Sequence, residues 1–224
     1  MTRLLRRNSV FIGLSLMLIV ALGLALLYIP KGELHLALCD YHTHARDIFF
    51  RYYTRIAEWF PYIVCIALLL FGRIGDGIFA SVCMIVSALT TQLFKHLINA
   101  PRPITWFEEH MPDVALPIAD EVQIHAWYSF PSGHTTSFFA LAFVACILLT
   151  SNPGISRIPR ILVQIVLFAL AALGGYSRIY LSQHFALDVF AGILVGTLIT
   201  ILCYAVFYRF EDKKWYNYRL FSKK

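Results

Sequence analysis

The chain has 224 residues, 59% hydrophobic and 14% charged, with a formal net charge of +6 and a mean hydropathy of +0.68. Soluble domains carry about a quarter charged residues, so the composition excludes an ordinary soluble fold and reads as one integral membrane domain over 1–224. The positive charge does not point to nucleic acid: it clusters beside apolar runs, with no basic groove interleaved with aromatics.

Six apolar runs predict membrane-spanning helices at 10–29, 58–72, 77–98, 133–150, 161–181 and 185–208. Arg3, Arg6 and Arg7 precede the first run in the manner of a signal peptide. That run is too long for a signal h-region and no small-residue cleavage site follows, so it is read as a retained span. Residues 30–57 mix Asp40, His42, His44, Arg46, Asp47, Arg51 and Arg55 with Phe49, Phe50, Tyr52 and Tyr53, a pattern that suits an interfacial amphipathic helix. His42 and His44 lack further ligands at metal spacing and are read as a polar helix face. The second run is short, with Trp59, Phe60 and Tyr62 as interfacial anchors.

Orientation follows from the flanking cations. With the N-terminus inside, Arg3, Arg6, Arg7, Arg73, Arg157, Arg160 and the six Lys and Arg after residue 208 face the cytoplasm, 12 of the 19. An anionic inner leaflet is their natural partner. The predicted fold is an all-α bundle of six transmembrane helices, both termini cytoplasmic, with an extramembrane helical segment. Cys65, Cys83, Cys146 and Cys203 fall in apolar runs as small hydrophobes, and Cys39 lies outside them.

Three patterns then fall on the same, non-cytoplasmic face: Lys95-x6-Arg102-Pro103, Pro131-Ser132-Gly133-His134, and Ser177-Arg178-x5-His184-x3-Asp188. Charge at a bilayer is costly and is kept for function. Lys95, Arg102 and Arg178 supply cations for the oxygens of a phosphoryl group, and the arginine fork suits bidentate contact. Ser132 and Gly133 open the fourth apolar run, where helix-start amides form an anion site. Without a G-x-S-x-G elbow, Ser132 is read as a phosphate ligand and not as a nucleophile. His184 and Asp188, four apart, stack on one helix face. The carboxylate fixes the imidazole tautomer and leaves the other nitrogen free to attack. His134 is then the second proton-handling group, serving the leaving alkoxide.

These patterns resemble those of the type 2 phosphatidic acid phosphatase superfamily, which includes vanadium haloperoxidases and glucose-6-phosphatases. The motif-bearing region is 95–188, and six spans are also the family's membrane architecture. The resemblance implies His184 as nucleophile of a phosphohistidine intermediate, Asp188 orienting it, and His134 as general acid. Lys95, Arg102, Ser132, Gly133 and Arg178 would bind the phosphate, with no metal and no cofactor. It implies a phosphatase for a phospholipid or isoprenoid-lipid phosphate at the periplasmic face of a bacterial-type inner membrane. Family precedent offers undecaprenyl diphosphate, phosphatidylglycerol phosphate, phosphatidate and lipid A phosphate as substrates.

The segment 104–130 holds Glu108, Glu109, Asp113, Asp120 and Glu121 but no Lys or Arg. It either repels further anionic groups on a substrate or is a solvated loop, and Trp106, Phe107, Trp127 and Tyr128 suit the headgroup level. A lipid phosphotransferase would carry the same motifs. A transporter or binding-only relative is the non-enzyme alternative, although neither broken midplane helices nor repeats are evident.

Overall fold

A computed structural model describes residues 2–39, 41–119, 121–151 and 154–221 of the chain. Asp40 and Asp120, and the side chain of Arg3, lie outside the described residues. Regular structure among those described is helical: α1 (Thr2–Arg7), α2 (Ser9–Tyr28), α3 (Lys31–Cys39), α4 (His44–Phe71), α5 (Ile74–Ile98), α6 (Pro103–His110), α7 (Gly133–Thr150), α8 (Arg157–Tyr180) and α9 (Ala186–Phe207). Six of these, α2, α4, α5, α7, α8 and α9, are long and apolar enough to cross a membrane. The protein is an all-α integral membrane protein.

The second span differs from expectation. It does not begin at 58; it is the continuation of α4, which starts at His44 and runs through Pro61 to Phe71. Thr43 caps that start by accepting from the Arg46 amide at 3.4 Å. The segment 30–57 read as one interfacial helix is therefore divided: α3 ends at Cys39, His42 lies in the link, and His44, Arg46, Asp47, Arg51 and Arg55 belong to α4. Arg51, Arg55 and Glu58 hid the span because they are polar, and all three line the mouth of the cavity that also holds the motif cations.

The bundle is built around α7, whose Phe139, Phe143, Val144 and Ile147 are buried against its neighbours. Phe11 of α2 stacks on Phe143 with ring centroids 5.0 Å apart. α9 meets α7 through two small residues one turn apart. A Cβ at Gly192 would lie 2.8 Å from the Ser132 carbonyl, and one at Gly196 would lie 2.6 Å from that of Thr136. This close approach of backbones is the role of small residues at membrane helix interfaces. It also brings the start of α9 beside the start of α7, where the Ser132 amide donates to the Asp188 carbonyl at 3.0 Å.

The opposite end of the bundle is tied by polar contacts. Gln164 of α8 accepts from the Val10 and Phe11 amides at 3.1 Å, and Thr150 donates to Asn8 at 3.0 Å. Arg73 pairs with Asp76 at 2.7 Å, and Tyr216 donates to the same carboxylate at 3.1 Å. Buried polar groups without partners are expensive, so these pairings satisfy the helix ends they join.

Gly196→Val should force α9 away from α7 and lower stability by about 1–3 kcal/mol, read as a drop in the thermal unfolding temperature in detergent. Gly13→Val, where nothing lies within 4 Å of the added carbon, is the matched control. Equal unfolding temperatures for the two would contradict this packing.

Candidate active site

Lys95, Arg102, His134, Arg178 and His184 line one cavity of about 490 Å³. It sits where α5 and α8 end and where α7 and α9 begin, so residues 95–184 converge from four helices. Asn99, in a left-handed conformation at φ 44°, caps α5 by donating to the Lys95 carbonyl at 2.9 Å. Arg102 is the N-cap of α6, with Pro103 at the first helical position.

The guanidinium of Arg102 is held by neutral groups. Nε donates to the Trp127 carbonyl at 3.0 Å and Nη1 to Gln183 Oε1 at 2.9 Å. Arg178, 6% exposed, donates from Nη1 to Thr54 Oγ1 at 2.7 Å, and its buried Nε has no hydrogen-bond partner. Among the described residues, no carboxylate forms an ion pair with Lys95, Arg102 or Arg178. Three cations thus share a cavity with no carboxylate in ion-pair contact among the described residues.

His184 precedes α9 and does not sit within it. The chain turns between α8 and α9, with the Gln183 and His184 amides both donating to the Arg178 carbonyl at 3.0 and 3.1 Å. The expectation that His184 and Asp188 stack within one helix is corrected accordingly. Asp188 occupies the first turn of α9, and its Oδ2 accepts from the Phe185 amide at 2.9 Å and from Ser129 Oγ at 2.5 Å. The same Oδ2 lies 3.4 Å from His184 Nδ1. One carboxylate therefore caps the helix and orients the imidazole, leaving Nε2 as the free ring nitrogen. Burial, then Arg102, Arg178 and Lys95, hold the His184 pKa well below its ordinary value. The imidazole is neutral at pH 7.

His134 is the second residue of α7, and its Nε2 lies 3.2 Å from Glu58 Oε1. Ser132 and Gly133 are not among the residues that line the cavity. The Ser132 hydroxyl instead caps α7, accepting from the Thr135 hydroxyl at 2.9 Å and the Thr135 amide at 3.4 Å. Of the eight expected site residues, the structure brings five to the cavity wall, with Asp188 behind His184.

A profile of the PAP2 superfamily matches residues 76–212. The chain belongs to the PAP2 superfamily. It is 37% identical over 102 residues to lipid phosphate phosphatase 1 of Arabidopsis thaliana, covering 42% of this chain and 31% of that protein. It is 27% identical over 176 residues to the undecaprenyl-diphosphatase BcrC of Bacillus subtilis, covering 77% of this chain and 79% of that one. The crystal structure of Aquifex aeolicus LpxE superposes with a TM-score of 0.61 at 25% identity, covering 77% of this chain and 93% of that one. The matched stretch thus spans about a third of the length of the Arabidopsis relative.

Four contacts in this PAP2 chain escaped the sequence reading: Thr54 and Glu58 on α4, Ser129, and Gln183. Ser129 and Gln183 sit beside motif residues but carry no pattern of their own, and α4 lies far from the motifs in sequence. The connecting segment also differs from expectation. Phe107 is buried against His35 and Phe185, with ring centroids 5.7 and 6.5 Å away, so it supports the His184 turn and not the headgroup level. Glu121 is the acid of that segment found in the cavity wall among the described residues, and it is paired with Arg51.

The turn is backed by His35 of α3, fully buried, with Nε2 3.3 Å from Ser182 Oγ. Burial lowers the His35 pKa from 6.5 to about 4, against the opposing pull of Asp188. Both His35 and His184 are neutral when folded and protonate more readily when unfolded. The contribution of each is complete above pH 6.5 and declines as pH falls below it, for His35 by about 3 kcal/mol as pH approaches 4. His35→Phe should flatten the acid side of a pH–unfolding-temperature curve in detergent, whereas an unchanged slope would contradict the neutral buried imidazole.

Proposed function

We propose that the protein is a metal-independent lipid phosphate or diphosphate phosphatase that works through a phosphohistidine on His184. The observation that carries this reading is the set of three unpaired cations around a neutral imidazole backed by a carboxylate. A phosphoryl transition state spreads charge over three equatorial oxygens, and fixed donors aimed at them supply most of the rate. Lys95, Arg102 and Arg178 are those donors. Gly133 and Ser132 contribute through the start of α7, by backbone dipole and by holding its first turn, since the Ser132 hydroxyl is engaged.

His184 Nε2 attacks phosphorus, forming the N–P bond as the P–O bond to the lipid breaks. His134 gives its proton to the departing oxygen, and Asp188 keeps the proton on His184 Nδ1. Water activated by His134 then cleaves the N–P bond and releases inorganic phosphate, which restores both imidazoles.

The lipid character of the substrate is supported by a second cavity of about 410 Å³ between α4 and α5, lined by apolar residues including Ala57, Ile66, Leu69, Met84 and Leu89. It adjoins the site, since Ala57 neighbours Glu58 and its Ser137 lies one turn beyond His134. Undecaprenyl diphosphate, phosphatidylglycerol phosphate, phosphatidate and lipid A phosphate are the candidate substrates, a range in keeping with the relatives' names. Flanking charge puts both termini in the cytoplasm and the site on the outer face of a bacterial-type inner membrane.

Purified protein should release inorganic phosphate from at least one of these lipids. His184→Ala should reduce that rate at least about a thousandfold and abolish labelling by a substrate carrying radioactive phosphorus. Retained turnover in His184→Ala would overturn the nucleophile assignment. Arg178→Lys should lose about tenfold to a hundredfold in kcat/KM, because a point charge does not replace the fork. Near-normal turnover there would exclude direct phosphate contact.

A further inference from the structure

The cavity holds more positive charge than one phosphate uses. Beyond Lys95, Arg102 and Arg178, its wall includes Arg51 and Arg55 of α4. These two are four residues apart and so share a helix face, and Glu58, one turn further, is on that face too. A phosphate monoester carries up to two negative charges near neutral pH, which the three inner cations already exceed. Glu121 pairs with Arg51 at the solvent mouth, its side chain 78% exposed. Among the described residues no carboxylate forms an ion pair with Arg55, whose guanidinium lies 5.5 Å from the Tyr52 ring centre.

The placement of this outer pair is fixed by its neighbours on α4. Thr54, adjacent to Arg55, bonds Arg178 at 2.7 Å, and Glu58 lies 3.2 Å from His134. Arg55 thus shares the cavity wall with Arg178 and His134, next along α4 to the residue that bonds the first and one turn before the residue beside the second. One helical turn is about 5.4 Å, so the Arg55 backbone lies within about one turn of both Thr54 and Glu58, on the wall shared with the inner cations.

We infer that Arg51 and Arg55 form a second anion subsite, and that the preferred substrate is a lipid diphosphate whose bridging phosphate occupies it. This rests on the phosphatase reading above and narrows its substrate class. The terminal phosphate lies among Lys95, Arg102 and Arg178. The bond broken joins its phosphorus to the bridging oxygen, and the bond formed joins that phosphorus to His184 Nε2. The bridging oxygen takes the proton from His134 and leaves with the lipid monophosphate, whose charge Arg55 stabilises. Water then releases inorganic phosphate, so one diphosphate and one water give one monophosphate and one phosphate.

The test compares three substrates in the same micelles: an isoprenyl diphosphate, the monophosphate of the same tail, and a glycerol-spaced lipid carrying a phosphodiester and a phosphomonoester. Wild type should favour the diphosphate in kcat/KM. Arg55→Gln should lower the diphosphate-to-monophosphate ratio about tenfold, and Arg55→Lys should restore most of it. A ratio unchanged by Arg55→Gln, or a wild type that favours the monophosphate, would overturn the subsite. If the glycerol-spaced lipid loses as much as the diphosphate, the subsite exists but the bridging-phosphate assignment fails. Binding of inorganic pyrophosphate against inorganic phosphate, measured by calorimetry on wild type and Arg55→Gln, reads the subsite without turnover. Should no lipid be hydrolysed, the phosphatase reading falls while a pyrophosphate advantage lost in Arg55→Gln still upholds the subsite.

Discussion

Positive charge held at the rim of the bundle without ion-pair contact is the constraint around which the rest of the structure is arranged. Cations gathered in a half-dry cavity repel one another and lose hydration, and a nearby carboxylate would relieve both effects. This chain keeps its described carboxylates out of ion-pair contact with Lys95, Arg102 and Arg178. It holds Arg102 with the Trp127 carbonyl and the Gln183 amide, and Arg178 with the Thr54 hydroxyl. Neutral acceptors fix the geometry of a guanidinium without cancelling its charge, which leaves the field for an incoming oxyanion. The unpartnered Nε of Arg178 is the clearest mark of a bond that the protein alone does not make.

The same economy explains the imidazole. Asp188 is the site's one carboxylate in contact with His184, and it is engaged three ways: by Ser129, by the Phe185 amide and by His184. Its hydrogen bonds go to Ser129 and to the helix start, and its Oδ2 stands against Nδ1, so it makes no ion pair with the three cations. The glycines of α9 are part of this arrangement, because a wider α7–α9 spacing would move Asp188 away from Ser129 and the Ser132 amide. Packing at the core and chemistry at the rim are therefore coupled through one helix start.

The motif residues were legible from sequence because charge inside apolar runs is rare and fixed spacing made it conspicuous. The spans were legible too, apart from α4, whose first turns carry Arg51, Arg55 and Glu58 and so read as extramembrane. A hydropathy pattern does not distinguish a charge on an extramembrane helix from one at the mouth of a cavity on a membrane-spanning helix. Thr54, Ser129 and Gln183 were missed for a related reason. Their significance lies in the partner each one meets across the fold, and nothing in the local pattern names that partner. The Ser132 hydroxyl shows the converse: a motif position was recognised, but its side chain turned out to serve the helix cap.

A structure of the protein with bound orthovanadate, which adopts the five-coordinate geometry of a phosphoryl group in transfer, tests the central claim most directly. The account predicts vanadium bonded to His184 Nε2, with its equatorial oxygens contacting Lys95, Arg102 and Arg178. Vanadate bound elsewhere, or held in the cavity without a bond to His184, would contradict it.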